Sequence, residues 1–487
     1  MKPRQPLRAR TPFCEAAAVR CQLRPRAWRS GKDEEKGLAH DHVPQPATAV
    51  AVEYLSRSGL SGQAGLMTTY APAPPASPAS ALVCRNCAAR FPLGAQHACL
   101  ECFGPLEIGY DQAALAAVTR AQIEAGPHSI WRYAGLLPVG QNPATRVDSR
   151  TGMTPLVRAD ALGAELGFTA PLWVKDDSAN PTHSFKDRVV SVAMTAAREL
   201  GFDRIACAST GNLANSVAAH AARIRMRSIV FVPTDLEPAK IVQTAIYGGT
   251  VVGVQGSYDD VNRLCSELSE TDEFESTGFV NVNVRPYYAE GSKTLGFEVA
   301  EQLGWRLPGQ VVCPMASGSL LTKVNKAFRE LAGSGLVEPS RWRVFGAQSA
   351  GCSPIATAFA DGRDEVSPVK PTGIAKSLNI GNPADGPYAL DAVRASGGAM
   401  AAATDDEIRD GIRLLARTTG IFAETAGGVV IAVLRKLLAA GALDPSLETV
   451  LYNTGDGLKT LDAVSDRARV TAVVPPTVKG MRDAGLL

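Results

Sequence analysis

The sequence predicts an α/β protein built on doubly wound parallel sheets and preceded by a small zinc ribbon and a disordered leader. Three observations carry this: apolar runs alternate with helical patterns from Leu172 onward, small polar or glycine-rich turns follow three of the runs, and two Cys-x-x-Cys pairs precede them all. At 487 residues, 45% hydrophobic and 20% charged, the chain is long enough for two or three domains with large cores. Its 50 basic and 48 acidic residues leave a formal charge of +2, which points to neither nucleic acid nor an anionic membrane as partner. The most apolar stretch, Ile421 to Leu443, is interrupted by Glu424, Arg435 and Lys436, so no membrane span is expected.

Residues 1–80 read as leader and linker. Positions 1–30 hold eight Lys or Arg against one Glu and lack the apolar core of a secretory signal. The stretch to Leu66 stays poor in aromatic and β-branched residues and runs into Ala71-Pro-Ala-Pro-Pro-Ala-Ser-Pro-Ala79, a disordered-linker composition. Met67 is a candidate start. A basic organelle-targeting leader is the rival reading, weakened by the acids of Lys32-Asp-Glu-Glu-Lys36.

Residues 81–110 hold Cys84-Arg-Asn-Cys87 and Cys99-Leu-Glu-Cys102, with Gly104-Pro105 as turn chemistry after the second pair. Two such knuckles at this separation present four thiolates tetrahedrally, which suits a structural zinc with no open position. Unmetallated thiols or a redox pair are the alternative. Between Cys84 and Tyr110 only Arg85 and Arg90 are basic, too few for a phosphate-binding patch, so no nucleic-acid partner is expected. Other cysteines, such as Cys207 and Cys313, sit in apolar surroundings, as expected of reduced thiols in a cytoplasmic enzyme.

Strands are expected near 172–176, 204–209, 228–233, 250–255, 310–315, 343–348 and 449–453, with helices between them. After the first, Asn180-Pro181 breaks the chain, and Thr182 or Ser184 is placed to cap a helix from about Phe185 to Leu200. Lys186 then lies at a helix N-terminus beside Phe185, where the helix dipole and burial favour the nucleophilic amine of a Schiff-base lysine. Taken alone, a lysine in a first helical turn is a solvated charge. The turn Ala208-Ser-Thr-Gly-Asn-Leu-Ala-Asn-Ser216 reads as an anion or carboxylate cradle or an ordinary capped helix, and Pro314-Met-Ala-Ser-Gly-Ser-Leu320 lets backbone amides close around a phosphate. In doubly wound sheets ligands bind at such carboxyl ends of strands.

Asn180-Pro-Thr-His-Ser-Phe-Lys-Asp-Arg188 resembles the cofactor-lysine motif Asn-Pro-Thr-Gly-Ser-Phe-Lys-Asp-Arg of threonine synthases, pyridoxal-phosphate enzymes of the tryptophan-synthase-β fold type. The one difference is His183, where a family glycine serves positive φ or close approach; His183 is a candidate local acid or base. Thr151-Gly-Met-Thr-Pro-Leu156, Leu451-Tyr-Asn-Thr-Gly-Asp-Gly-Leu-Lys459 and Ile421-Phe-Ala-Glu-Thr-Ala-Gly-Gly428 resemble further family segments in the family's order, and similar ribbons precede some family members. The resemblance covers roughly residues 80–465. It implies a catalytic region over 111–465 of two doubly wound domains, the small one an insertion at about 190–290, with 466–487 as a tail, and a homodimer.

By this resemblance Lys186 holds pyridoxal 5'-phosphate, Asn212 contacts its phenolic oxygen, Ala316, Ser317, Gly318, Ser319 and Leu320 hold its phosphate, and Thr454 meets its ring nitrogen. Ser209, Thr210 and Gly211 would receive the substrate carboxylate; Ser209, Thr210, Arg285 and Lys293 are candidates for its phosphate; and Glu424 lines the pocket. Cys84, Cys87, Cys99 and Cys102 would bind the zinc. The implied reaction converts O-phospho-L-homoserine and water to L-threonine and phosphate. One departure stands against it: in Val284-Arg-Pro-Tyr-Tyr-Ala-Glu-Gly-Ser-Lys-Thr294, Tyr288 occupies the place of a family arginine that helps hold the substrate phosphate. A cysteate synthase, a serine or threonine dehydratase, and a noncatalytic zinc-ribbon sensor of small molecules are the alternatives.

Overall fold

The computed structural model describes residues 77–487 except 210, 235–237, 257 and 466–468; the expected leader with Met67, and Thr210, therefore lie outside the described residues. Among the described residues, thirteen strands fall into three sheets: β1 Ala79–Cys84, β2 Arg90–Phe91, β3 Leu106–Tyr110, β4 Leu156–Arg158, β5 Leu172–Asp176, β6 Arg204–Ala208, β7 Arg227–Pro233, β8 Thr250–Val254, β9 Thr277–Phe279, β10 Gln310–Pro314, β11 Arg343–Ser349, β12 Met400–Ala403 and β13 Thr449–Asn453. The first sheet, β2-β1-β3, is antiparallel and carries the cysteine knuckles. The second runs β12-β11-β10-β13-β5-β4 and is parallel except for the β4–β5 pair. The third, β8-β7-β6-β9, is fully parallel and is inserted in the chain between β5 and β10.

The central strands are continuous apolar runs because helices cover both faces of a parallel sheet. All five residues of β10 and of β13 are buried. Two apolar clusters pack against the six-stranded sheet, one including Val311, Cys313 and Val450 and the other Val174, Val312 and Leu451. A third joins Leu82, Cys84, Cys99 and Ile108 of the ribbon to Val189, Val190, Met194, Val217 and Val280. The ribbon shares the core of the inserted sheet because a segment this small cannot bury enough apolar surface alone.

The helix Lys186–Glu199 links the two parallel sheets, and its residues from Asp187 to Ala197 are buried. Phe185 is its N-cap and makes no side-chain cap bond, so the expected capping by Thr182 or Ser184 does not occur. Asp187 works in the opposite direction, accepting from the Thr182 N–H at 2.7 Å and from Thr182 Oγ1 at 2.6 Å. A carboxylate in the first turn both satisfies the preceding loop and complements the helix dipole, so it wins over a hydroxyl. Ser184 instead pairs its backbone with Gly455, and the Phe185 N–H donates to the Thr454 carbonyl at 3.0 Å.

Beneath this helix lies a buried charge network. Arg188, fully buried, meets Asp177 at 2.6 Å and Glu298 at 2.5 Å, and Lys175 meets Glu298 at 2.7 Å. Burial alone would raise the Glu298 carboxyl, but Arg188 and Lys175 pull it down to about 2. Burial likewise opposes Glu290, yet Lys293, Lys323 and Lys326 hold it well below the ordinary carboxylate range. Native values depressed below the unfolded ones mean that this stability is complete above the ordinary carboxylate value and is lost as pH falls toward 2. Denaturation midpoints measured between pH 6 and 3 should therefore be flat at first and fall below about pH 4.5, each carboxylate adding a slope of up to about 1.4 kcal/mol per pH unit. A flat profile down to pH 3 would contradict the network.

Candidate active site

Three adjacent strands, β10, β13 and β5, deliver the Lys186 stretch and two of the three turns that sequence reasoning singled out, and the third turn, residues 208–216, follows β6 of the inserted sheet. β5 leads to Lys186, β13 to Thr454, and β10 to the turn at Ala316–Leu320. β13, last in the chain, sits between β10 and β5, so crossovers leave on both sides of it and open a crevice at the carboxyl ends, where such sheets bind ligands.

Lys186 is half-buried, and its Nζ donates to Tyr288 Oη at 2.9 Å, with the Phe185 and Tyr288 rings 4.6 and 5.6 Å from it. Tyr288 therefore touches the lysine directly, a role its place in the sequence did not disclose. Asp187 also accepts from Ser216 Oγ at 2.6 Å, which ties the Lys186 turn to the helix Asn212–Arg223. His183 adopts φ +60° and is exposed. The left-handed conformation thus explains the family glycine, and among the described residues the His183 ring has no partner that would mark it as an acid or base. His183→Gly should keep kcat within about twofold and leave the melting temperature equal or higher, because the left-handed conformation costs a non-glycine residue about 1 kcal/mol. A large loss of kcat would restore a chemical role to the ring.

Asn212 is fixed at both ends of its amide: Nδ2 donates to Glu424 Oε2 at 3.0 Å, and Oδ1 accepts from Lys459 Nζ at 2.8 Å. One N–H is left to point elsewhere. Burial holds the Glu424 carboxyl above the ordinary range against the pull of Asn212, Lys459 and Lys186, and burial lowers Lys459. Lys459, part of the motif at 451–459 but given no role from it, is a member of the site. Glu424 is joined to the Thr454 turn by its own N–H, which donates to the Gly455 carbonyl at 3.0 Å. Thr454 is buried, and among the described residues its hydroxyl has no partner.

The β10 turn enters the helix Ser319–Gly333 through Gly318 at φ +92°, where an added Cβ would lie 3.0 Å from the Asp385 carbonyl. Glycine is required there, and first-turn N–H groups of the helix lack intrahelical acceptors, as an anion cradle needs. Ser209 is buried, and its Oγ accepts from the Gly211 and Ala214 N–H groups at 3.3 and 3.2 Å, while a Cβ on Gly211 would meet open space. Arg285 lies on the Tyr288 helix, Arg285–Glu290, and its Nη2 meets Asp385 at 2.8 Å. Lys293 does not join the site: its Nζ is fully buried, donates to Glu330 at 2.7 Å and to the Leu136 carbonyl at 3.0 Å, and is ion-paired with Glu290 at 2.9 Å. A cleft of about 1070 Å³, lined by residues that include Lys326, Arg341 and Trp342, holds none of the expected catalytic residues.

These residues fit the cofactor implied by the sequence. A lysine, a small-residue turn at a helix N-terminus and an amide with one free N–H converge, and the Ser184 and Thr425 hydroxyls beside Lys186 and Glu424 are buried without partners among the described residues. In the ribbon, Sγ–Sγ separations of 3.5 Å for Cys84–Cys102, 3.6 Å for Cys87–Cys99 and 3.4 Å for Cys87–Cys102 approach the tetrahedral edge of about 3.8 Å set by a Zn–S bond of about 2.3 Å. The Asn86 and Cys87 N–H groups point to Cys84 Sγ and the Glu101 N–H to Cys99 Sγ, and Ala88 and Phe103, each just past a knuckle, share a left-handed φ. The four-cysteine cluster thus suits a structural zinc.

The family of pyridoxal-phosphate dependent enzymes matches residues 147–455. A threonine synthase of Methanocaldococcus jannaschii is 38% identical over 366 residues, 74% of this chain and 89% of the relative. One of Methanosarcina acetivorans is 34% identical over 406 residues, 83% of this chain and 98% of the relative. Among solved structures, processed threonine deaminase isoform 2 of Solanum lycopersicum superposes with a TM-score of 0.53 at 21% identity, covering 65% of this chain and 88% of that one. An L-serine ammonia-lyase of Rhizomucor miehei superposes with a TM-score of 0.54 at 18% identity, covering 65% and 97%. The solved structures establish the shared fold, and the sequence identity, sustained over most of this chain and of each relative, means that the chain belongs to the threonine synthase family of pyridoxal-phosphate-dependent lyases.

Proposed function

We propose that the chain converts O-phospho-L-homoserine and water to L-threonine and inorganic phosphate. The observation that carries this is the placement of Lys186 Nζ against Tyr288, one helical turn from Arg285, an arginine that shares its carboxylate partner. Arg285 and Tyr288, three apart on one helix, lie on the same face, so a substrate reaching Lys186 with its amino end can reach a guanidinium with its phosphate. Arg285 thereby offers the cation that Tyr288, in the place of the family arginine, does not.

Bound pyridoxal phosphate supplies the electron sink that stabilises negative charge beside the substrate's amino carbon. Lys186 would hold the cofactor, and its amine would move protons at the substrate's Cα and Cβ, with Tyr288 keeping Nζ in place. The N–H groups from Ala316 to Leu320 would hold the cofactor phosphate, the free N–H of Asn212 its phenolic oxygen, and Thr454 Oγ1 its ring nitrogen. Ser209 and Gly211 border the space for the substrate carboxylate. Arg285 takes the phosphate as it leaves Cγ; Cγ takes up a proton to become the methyl group, the hydroxyl of water adds at Cβ, and a proton returns to Cα.

The assay is release of threonine and phosphate from O-phospho-L-homoserine, run beside O-phospho-L-serine with sulfite and beside free threonine. Equal amounts of threonine and phosphate from the first support the reading; turnover of only another substrate moves the enzyme to a sister activity. We also infer a cytoplasmic homodimer without a nucleic-acid partner. The family resemblance supports the dimer, the near-neutral charge balance supports the absence of nucleic acid, and light scattering tests the mass. No helix among the described residues is long and apolar enough to cross a membrane.

A further inference from the structure

Arg85 lies inside the first metal knuckle, between Cys84 and Cys87, and its peptide N–H is tied to the Pro105 carbonyl at 3.0 Å. Its guanidinium leaves the ribbon. Nη1 meets Asp385 Oδ1 at 2.8 Å, and the plane lies over the Tyr388 ring, 3.4 Å from the centroid. Tyr388 Oη donates to Asn86 Oδ1, the next residue of the knuckle. The second oxygen of Asp385 is taken by Arg285 at 2.8 Å, and the Asp385 N–H donates to the Ser317 carbonyl at 3.1 Å, within the turn assigned to the cofactor phosphate. The ribbon docks on the same short helix at its other end, where Tyr110 Oη donates to Glu290 at 2.7 Å and Lys323 bridges Glu107 and Glu290 at 3.0 and 2.6 Å.

We propose that Arg85 is a positioning residue for the substrate phosphate: by occupying one oxygen of Asp385 it keeps Arg285 singly bound, so that the metal knuckle sets phosphate affinity from outside the parallel sheets. The physical reason is competition for one carboxylate. Two guanidiniums on Asp385 leave a local charge of +1 and free Arg285 donors. Without Arg85, Asp385 is free to take Arg285 in a bidentate pair, which neutralises it and withdraws its donors from the pocket. The cysteines on either side of Arg85 hold its backbone, so the metal acts on substrate affinity through this one side chain.

This rests on the reading that the substrate is phosphorylated and that Arg285 receives it. The test uses the full-length holoenzyme and measures binding of inorganic phosphate by calorimetry, KM and kcat for O-phospho-L-homoserine, and metal content. Arg85→Ala is expected to weaken phosphate binding and raise KM about tenfold with kcat within about twofold, and Arg85→Lys to recover most of the loss. In an Arg285→Ala background the Arg85→Ala effect should vanish. Unchanged phosphate binding in Arg85→Ala with its metal retained, or effects that simply add in the double variant, would overturn the proposal. If Arg85→Ala loses its metal, Tyr388→Ala decides, since it removes the ring under Arg85 without adjoining a ligand: weaker phosphate binding with full metal content supports the proposal, and unchanged binding overturns it. Wild-type turnover of O-phospho-L-homoserine with Arg285→Ala unaffected would remove Arg285 and this proposal but leave the reaction standing. Turnover of an unphosphorylated substrate alone would remove the reaction reading itself.

Discussion

Lys186→Ala is expected to lower turnover of O-phospho-L-homoserine about a thousandfold or more while leaving thermal stability within about 1 kcal/mol of wild type. The two parts belong together. Lys186 Nζ meets Tyr288 Oη and two aromatic faces at the edge of the crevice, whereas the charges that hold the helix, Asp187 and Arg188, point into the protein. Removing the amine therefore takes away the group proposed to anchor the cofactor and move the protons, without leaving a buried charge unpaired. The purified variant should also lack the visible absorbance of covalently held cofactor, an observable independent of turnover. Tyr288→Phe, which leaves the amine without its 2.9 Å acceptor, should keep the absorbance and lose only about tenfold in kcat. A Lys186→Ala enzyme that keeps both absorbance and turnover would sink the assignment.

Seven strands and three candidate turns could be read from residues alone because strands of helix-covered parallel sheets read as short apolar runs and because glycine, serine and asparagine mark the turns after them. β4, β9 and β12 could not. Met400-Ala-Ala-Ala403, for instance, carries no β-branched residue and is a strand because β11 lies alongside it. The candidate site could be proposed from residues alone wherever one local motif suggested its own chemistry, as at Lys186, Asn212, Thr454 and the cysteines. It was not legible where a role depends on partners far apart in the chain. Tyr288 meets a lysine 102 positions away, and Asp385, bound by residues 300 and 100 positions before it, stands in no motif. Lys293 misled for the complementary reason. A lysine next to a functional motif looks available, but Glu290 three residues earlier was the local signal of an ion pair.

Arg188→Met should cost about 3–5 kcal/mol, enough to lower the melting temperature by many degrees, though Arg188 touches neither substrate nor cofactor. The network beneath the Lys186 helix contains two cations, Arg188 and Lys175, and two anions, Asp177 and Glu298, all without exposed side-chain surface. Its charge is balanced, so methionine of similar length leaves one buried negative charge uncompensated as well as several unmade hydrogen bonds. The helix cannot shift to accommodate the change: a Cβ at Gly291 would lie only 2.6 Å from the Arg188 carbonyl, so the two backbones are already in contact. If the lost charge balance outweighs the lost contacts, Arg188→Met combined with Glu298→Gln should be more stable than Arg188→Met alone, because the pair Lys175 and Asp177 is again neutral. Equal or additive losses in the double variant would assign the cost to lost packing and hydrogen bonds instead. Cofactor retention should follow the same order, since the helix that carries Lys186 is held from below by this network and from the side by Asp187.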